Sequence, residues 1–565
     1  MEESKRLLIA IALAGLILFG WQFMLQKTGL EKHAAPPAPA AQAPAPAGSP
    51  AASAPANGAA SASAAAVPGT AAPGGMSFVN APPESLVSIE TPTWRVVLSS
   101  RGARPIHWVV KDFRRGDKLP LELIPEGSGL ERLALRRGGA QFDFTEAPFE
   151  VVENRQDGPN HLVTFRAREA SGNSLSVHYR FPDTAYVCGV QYTVENPRSE
   201  DRVLVQWRAW RFNTETNQRD DLMQARVSTL MGEELAQDRI QSGFNLLALF
   251  NPDADKSFKK HPEMVHTGNV EWTILRSKYF ALGFLFPPQT LSGVTSLGNP
   301  DSMRLGVRFE YPLLGRNTAG YEMYVGPVDF WKLQPAGHNL TRLVDSGFKL
   351  LVPLNRVVLK FFTLTHKVVP NYGLVIIVLS VVMRLVFWPL SQTQMRSMQK
   401  MQQLQPVMDR LREKYKNDPE RMNKEIFALY KEHKVNPMGG CLPILVQMPV
   451  FFALYNVLSS SIELRQAGFV AWITDLSAPD VLRIAGFSVH VLPLIMAITM
   501  YWQQKLTPMD PRQAATAMMM PFVMLFIFYG MPSGLVLYWT TINILTALQQ
   551  MQTRPGPKPG TAVTA

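Results

Sequence analysis

The residues that could do chemistry are few and make no catalytic set. The 565 residues hold no GxxxxGK(S/T) loop, HExxH helix, GxSxG elbow or complete GxGxxG opening a helix, so phosphate-loop, zincin and hydrolase chemistry lack their groups. His107, His161 and His178 are scattered through strand-like text, where a structural role is the plain reading. Two cysteines, Cys188 and Cys441, exclude a disulfide framework and a clustered-thiolate zinc site, and Cys188 reads as a small buried apolar residue. No catalytic residue, metal ligand or cofactor is expected.

What remains is electrostatic. Arg384 interrupts the otherwise uncharged stretch 372–390, six residues before its end, or about 9 Å inside it at 1.5 Å per residue. An arginine in a membrane span costs roughly 2.5–3.5 kcal/mol unless it snorkels or faces water, and this depth permits both. The later apolar stretches offer it no acidic partner, so it needs water or a transient anionic guest. Ser380 lies one turn earlier on the same face, and Gln447, Asn456, Thr516, Tyr538, Thr540, Thr541 and Asn543 put polar groups in the other stretches. In lipid such groups turn inward, to bond one another or to line a wet cavity. Methionine is the second feature: 17 of 25 lie at or after Met383, including Met518, Met519, Met520 and Met524. Flexible thioethers fill gaps in a helical core and equally suit a promiscuous apolar binding surface.

These residues need elements to hold them. The net charge of +11 favours anionic partners such as lipid headgroups or nucleic acid. Residues 7–25 are uncharged after Lys5 and Arg6, long enough for an uncleaved anchor (1–30) and longer than a signal-peptide core. Residues 34–83 carry no charge and are Ala, Pro, Gly and Ser, the composition of a disordered linker (31–83). From 84 to 345 the text reads as strands: 303–311 and 175–181 alternate apolar and polar, and turn residues separate the runs 190–194 and 205–207. An antiparallel sandwich is predicted. Residues 354–368, within a segment 346–370, suit an amphipathic helix, and periodicity fits both the membrane surface and a protein surface.

Apolar stretches at 372–390, 441–462 and 484–502 follow, and the uncharged run between Arg512 and Arg554 is divided by the turn at 530–534 into two more. With the anchor, six transmembrane helices are predicted, the last five forming a core at 371–552, followed by a tail at 553–565. Residues 391–440 hold ten Lys or Arg, whereas 463–483 hold Arg465 and Arg483, so the first segment and both termini are cytoplasmic and the strand-rich domain is periplasmic. In the segment 391–435, apolar residues from Met395 to Tyr415 recur at steps of three and four, and Asp418-Pro419 starts a second helix. Pro406 should kink the first arm of this basic hairpin, whose exposed cations include Arg410, Arg412, Lys414 and Lys416.

Four segments carry a resemblance: 434–455 (KVNPMGGCLPILVQMPVFFALY), 463–467 (ELRQA), 472–477 (WITDLS) and 532–538 (PSGLVLY). They resemble the YidC/Oxa/Alb family of membrane protein insertases, in its long Gram-negative form. The resemblance implies a five-helix insertase core beside a β-supersandwich domain, a cytoplasmically open hydrophilic groove at Arg384, Ser380, Gln447, Tyr538 and Trp539, and an apolar slide at Met448, Phe451, Phe452, Met519, Met520 and Met524. It implies no enzyme activity. The implied partners are nascent membrane proteins, the Sec translocon with its accessory subunits, the ribosome or targeting factors, and anionic lipids, with no nucleic-acid sequence read. Two other readings stay open on the residues alone: a secondary transporter, which would want inverted repeats and paired ionisable groups, and a membrane-tethered periplasmic sugar-binding protein.

Overall fold

Alternation becomes strand where it was read: 175–181 lies in Ser174–Pro182, and 303–311 in Arg304–Pro312. The computed structural model describes residues 77–79, 81–125, 127–211, 214–215, 221, 224–240, 257–299, 304–344, 351–433, 442–484, 486–507 and 511–553. The anchor at 1–30, nearly all of the linker at 31–83, residues 434–441 and the tail beyond Thr553 lie outside the described residues. The last linker residues join the sheets: Phe78 bridges Glu169, and Val79 N donates to Arg168 O at 2.9 Å.

Among the described residues, three antiparallel sheets build the domain. The largest runs, in spatial order, Glu234–Arg239, Arg226–Met231, Val270–Arg276, Phe280–Leu285, Thr318–Pro327, Val187–Val194, Ser174–Pro182, Asn160–Arg168 and Glu150–Asp157. A six-stranded sheet packs on it through Trp207 against Phe284 (ring centroids 5.4 Å apart) and Phe309 against Tyr321 (5.3 Å). A four-stranded sheet closes one side, where Trp94 Nε1 donates to Val325 O at 3.0 Å. In Val187–Val194 buried Cys188, Val190, Tyr192 and Val194 alternate with more exposed neighbours, which is why period two sufficed to find such strands, whereas Phe280–Leu285 is buried throughout. Cys188 is fully buried there, and burial pushes its thiol up.

Among the described residues, eight helices of fourteen residues or more follow. Helix α1 is Val352–His366 and α2 is Tyr372–Val386, capped by Asn371, whose side chain accepts from Leu374 N. Helix α3, Trp388–Lys414, leaves α2 at 59°. The break falls at Phe387, not at the expected Pro406, through which α3 continues. Pro389 stands in the first turn of α3, where a missing N–H is no loss, and its ring and missing N–H oppose continuation of α2; Pro406 is also exposed, and α3 continues through it. Helix α4, Pro419–Glu432, is capped by Asp418 and packs on α3 through Leu404, Met408 and Leu429. Helices α5 (Leu442–Ser460), α6 (Val491–Leu506), α7 (Pro511–Phe528) and α8 (Ser533–Thr553) complete the core.

The stretch read as a span from Ile484 begins differently. Leu482–Ile484 and Phe487–Val489 form a hairpin around Gly486, which takes φ +87°, and α6 starts only at Val491. Among the described residues no single helix is long and apolar enough to cross a membrane, although α2 and α3 together could. Helix α2 has 15 residues, about 22 Å at 1.5 Å per residue against about 30 Å of hydrocarbon. Helices α5, α7 and α8 have 19, 18 and 21 residues and carry Asn, Gln or Thr among their apolar residues. The interior of this core is Val375, Ile376 and Leu379 of α2, Leu454 and Leu458 of α5, Met496 of α6, and Leu535, Val536 and Tyr538 of α8.

Candidate functional site

Loops stitch one end of the helical core shut. Ser533 N donates to Ala478 O at 2.8 Å, Gly534 N to Leu476 O at 2.9 Å, and Ser533 Oγ to Asp475 O at 2.8 Å. Leu476 N in turn donates to Ala467 O at 2.9 Å, and Asn371 Nδ2 to Phe469 O at 3.2 Å. The three short segments 463–467, 472–477 and 532–538 are therefore one structural unit. Gly373 lets the Phe469 ring press on α2, where a Cβ would come within 2.0 Å of it.

Arg384 lies eleven residues beyond Gly373, about 17 Å along α2 from this cap. Its Nη2 donates to the Gln549 Oε1 of α8, a neutral amide. Among the described residues no carboxylate lies within ion-pair distance of it, and its Nε is buried without a hydrogen-bond partner. Around this pair the helix ends are polar and enclosed. Gln550 Nε2 and Gln503 Nε2 both donate to Thr507 Oγ1 at 3.0 Å, and Gln549 and Gln550 are buried. On α8, Thr540, Asn543, Ala547 and Gln550 share one face at helical spacing. Buried polar atoms without partners there are Asn543 Nδ2, Gln550 Oε1 and Gln504 Oε1. Such atoms are costly unless a water or a guest reaches them.

The other residues of the expected groove are placed unequally. Ser380 is fully buried and its hydroxyl donates back to Ile376 O at 2.8 Å, as helical serines do. Thr540 and Thr541 likewise bond their own helix. Tyr538 is buried in the core with its hydroxyl on the Gln447 side chain. Trp539, half-buried, packs on Phe451 (5.4 Å) and Phe528 (5.5 Å). The open polar groups thus cluster at Arg384, Asn543, Gln504 and Gln550, near the α3 end of α2. Gln549 and Gln550 were missed in the sequence. Their signal was two amides in an uncharged helix, about two turns after Asn543.

The apolar set has another character. Met448, Phe452, Met519 and Met520 are exposed, Phe451 and Met524 half-buried, and Phe522 and Phe526 beside them are exposed too. In the hairpin, Arg410, Lys414 and Lys416 are exposed, Arg412 meets Asp409 at 3.4 Å, and Lys414 and Arg421 flank the Tyr415 ring.

The cap also holds the sheet domain. Buried Arg465 donates from Nε to Glu215 Oε1 at 2.7 Å and from Nη2 to the carbonyls of Arg114 (2.6 Å) and Thr214 (3.2 Å). Gln466 Nε2 donates to Arg114 O and Arg115 O, and Tyr279 OH to Ser459 O. Burial pushes the Glu215 carboxyl up to about 7, outweighing the guanidinium beside it.

Residues 364–557 match the family model described as 60Kd inner membrane protein, and residues 86–356 the model described as YidC periplasmic domain. A membrane protein insertase YidC of Chlorobaculum tepidum is 32% identical over 580 residues, covering 97% of this chain and 94% of that protein. A membrane protein insertase YidC of Geobacter sulfurreducens is 34% identical over 485 residues, covering 82% and 84%. Among solved structures, an active YidC insertase with its first transmembrane domain resolved is 17% identical, with a TM-score of 0.37, over 85% of this chain and 95% of that one. A galactose mutarotase-like protein from Lactobacillus casei is 12% identical, with a TM-score of 0.28, over 43% of this chain and all (100%) of that one.

Proposed function

The chain belongs to the YidC family of membrane protein insertases, and we propose that it inserts client segments through a hydrophilic notch centred on Arg384. It is an inner-membrane protein with a periplasmic domain. The observation that carries the proposal is the Arg384 guanidinium held against a neutral amide, beside buried polar atoms that lack partners. A polar notch reaching partway into the lipid shortens the barrier to translocating a client's tail, and the cation attracts an acidic one. The client's apolar segment meets the exposed Met and Phe surface of α5 and α7 and leaves into lipid, at about 25 cal/mol per Å² of apolar surface removed from water. No covalent bond is made or broken.

In this reading the chain spans the membrane six times with both termini cytoplasmic, the α3–α4 hairpin faces the ribosome or targeting factors, and the Sec translocon and anionic lipids assist. Short helices and the bend at Phe387 suit a locally thinned bilayer. A transporter would want an acid–base pair near the midplane, and Arg384 has an amide instead. The test uses full chain and a 92–330 deletion in proteoliposomes. Both are expected to insert a short-tailed client, because every group of the notch lies after residue 371. A correctly folded deletion that inserts nothing contradicts that placement.

A further inference from the structure

A short excursion of the chain leaves the cap just before α6, and it is closed at its base. Asp480 Oδ2 accepts from Trp472 Nε1 at 2.9 Å and from Leu492 N at 2.8 Å, and His490 Nδ1 donates to Asp480 O. The His490 ring also meets the ring of Tyr529, just past the end of α7, edge to face with centroids 4.5 Å apart. Between these fixed points run the strands Leu482–Ile484 and Phe487–Val489. Each has 3 residues, so the hairpin reaches about 10 Å from its base at roughly 3.3 Å per residue.

The register of the hairpin separates apolar from polar. Leu482 pairs with Val489 and Ile484 with Phe487, two positions apart and therefore on one face, while Arg483 pairs with Ser488 on the other. The first face is wholly apolar, and its outer pair is uncovered: Ile484 is 54% exposed and Phe487 75%. Arg483 and Ser488 are exposed as well. A two-stranded hairpin is marginal in water by itself, and large apolar side chains gathered at its tip mark a contact surface.

The neighbouring helices indicate what covers that face. Leu494, Ile498, Tyr501 and Trp502 of α6 recur at helical spacing and are all exposed, and so are Phe526 and Ile527 at the end of α7. In an inner-membrane protein such apolar stripes meet acyl chains, and the base of the hairpin stands where both stripes end. We propose that the hairpin lies in the membrane interface, with Leu482, Ile484, Phe487 and Val489 toward the acyl chains of the periplasmic leaflet and Arg483 and Ser488 toward its headgroups. Its reach matches the roughly 5–10 Å to which interfacial amphipathic elements enter the boundary between headgroups and acyl chains. Arg483 extends from the polar face to the phosphates, as arginine does at interfaces. A bound peptide fits less well: a strand of 3 residues offers an added strand few backbone hydrogen bonds, and side chains as exposed as Ile484 and Phe487 form no pocket to grip a partner. This placement rests on α6 spanning the bilayer and involves neither Arg384 nor a client.

Full-length protein carrying Cys188→Ala and Cys441→Ala is given one of Ile484→Cys, Phe487→Cys, Ile498→Cys or Val265→Cys, spin-labelled, and reconstituted without client into vesicles of phosphatidylethanolamine and phosphatidylglycerol. Ile498 is the lipid reference on α6, and Val265, 70% exposed on a strand of the sheet domain, is the aqueous one. The ratio of oxygen to nickel-chelate accessibility at 484 and 487 is expected to match that at 498 and to exceed that at 265 about tenfold. Aqueous readings at 484 and 487 beside a lipid reading at 498 overturn the placement of the hairpin alone and leave its face to a protein partner. An aqueous reading at 498 removes α6 from the bilayer, and the hairpin with it. Unsubstituted protein in vesicles containing a phospholipid with a diazirine in its acyl chain gives the same reading if a variant fails to fold: adducts are expected within 482–489, and adducts on α6 with none there overturn the proposal.

Discussion

Arg384→Ala removes the charge on which the insertion mechanism turns, and the structure sets the size of the effect. The guanidinium is half-buried, donates to Gln549, and faces no carboxylate among the described residues, so its attraction for a guest is not already spent. A unit charge pair about 4 Å apart is worth roughly 1 kcal/mol in water and about 4 kcal/mol at an effective dielectric of 20. A half-buried site lies between, at about 2 kcal/mol, which is roughly a thirtyfold change in rate or occupancy. The assay is insertion into proteoliposomes of two clients differing by one aspartate or asparagine in the translocated tail. The expected result is about a thirtyfold loss for the aspartate client and little loss for the asparagine client. Arg384→Lys should stay within about threefold of wild type, because charge and not fork geometry is needed. Equal losses for both clients, or a lysine variant as impaired as alanine, refutes the electrostatic role.

Arg465→Ala breaks a buried pair and should destabilise docking of the sheet domain by about 3–5 kcal/mol, read as faster proteolysis between the domain and the core; Arg465→Lys should not restore it, since Nε and Nη2 reach different partners, and unchanged proteolysis would count against the latch. Glu215 and Glu463, both raised by burial from 4.5 to about 7, keep protons in the folded chain that the unfolded chain releases. Their stabilising contribution is complete below about pH 4.5 and is lost as pH rises through about 7, by up to about 3 kcal/mol each. Melting temperature in detergent should therefore fall between pH 5 and 8, less steeply in Glu215→Gln and Glu463→Gln, and a rise over that range contradicts the assignment. Reversing Arg410, Arg412, Lys414 and Lys416 to glutamate should lower the log–log salt dependence of ribosome binding by roughly three, and an unchanged slope means that the hairpin does not make that contact through charge.

The strands were legible because a half-buried sheet writes its register into every second residue, as in Val187–Val194. Arg384 was legible because a charge in an apolar run has no ordinary reason to be there. Its partner was not: Gln549 is 165 residues away, and nothing local marks one amide among the several in α8. The segments 463–467, 472–477 and 532–538 stood out as text, yet their union rests on backbone hydrogen bonds that carry no side-chain signature. The hairpin at Gly486 was read into a span because its strands are as apolar as a helix, and hydropathy does not separate the two. Proline misled for a similar reason. Pro389 and Pro406 look alike in sequence and both are exposed in the folded chain, so neither composition nor burial marks which of them ends a helix.

The most direct measurement places a photoreactive residue at Asn543, and separately at Met519, and crosslinks a stalled nascent membrane protein. Contact of the client's hydrophilic tail with position 543 and of its apolar segment with position 519 is expected. Tail contacts at 519 with none at 543, or crosslinks arising solely from the sheet domain, would contradict a polar notch at Arg384 as the path of insertion.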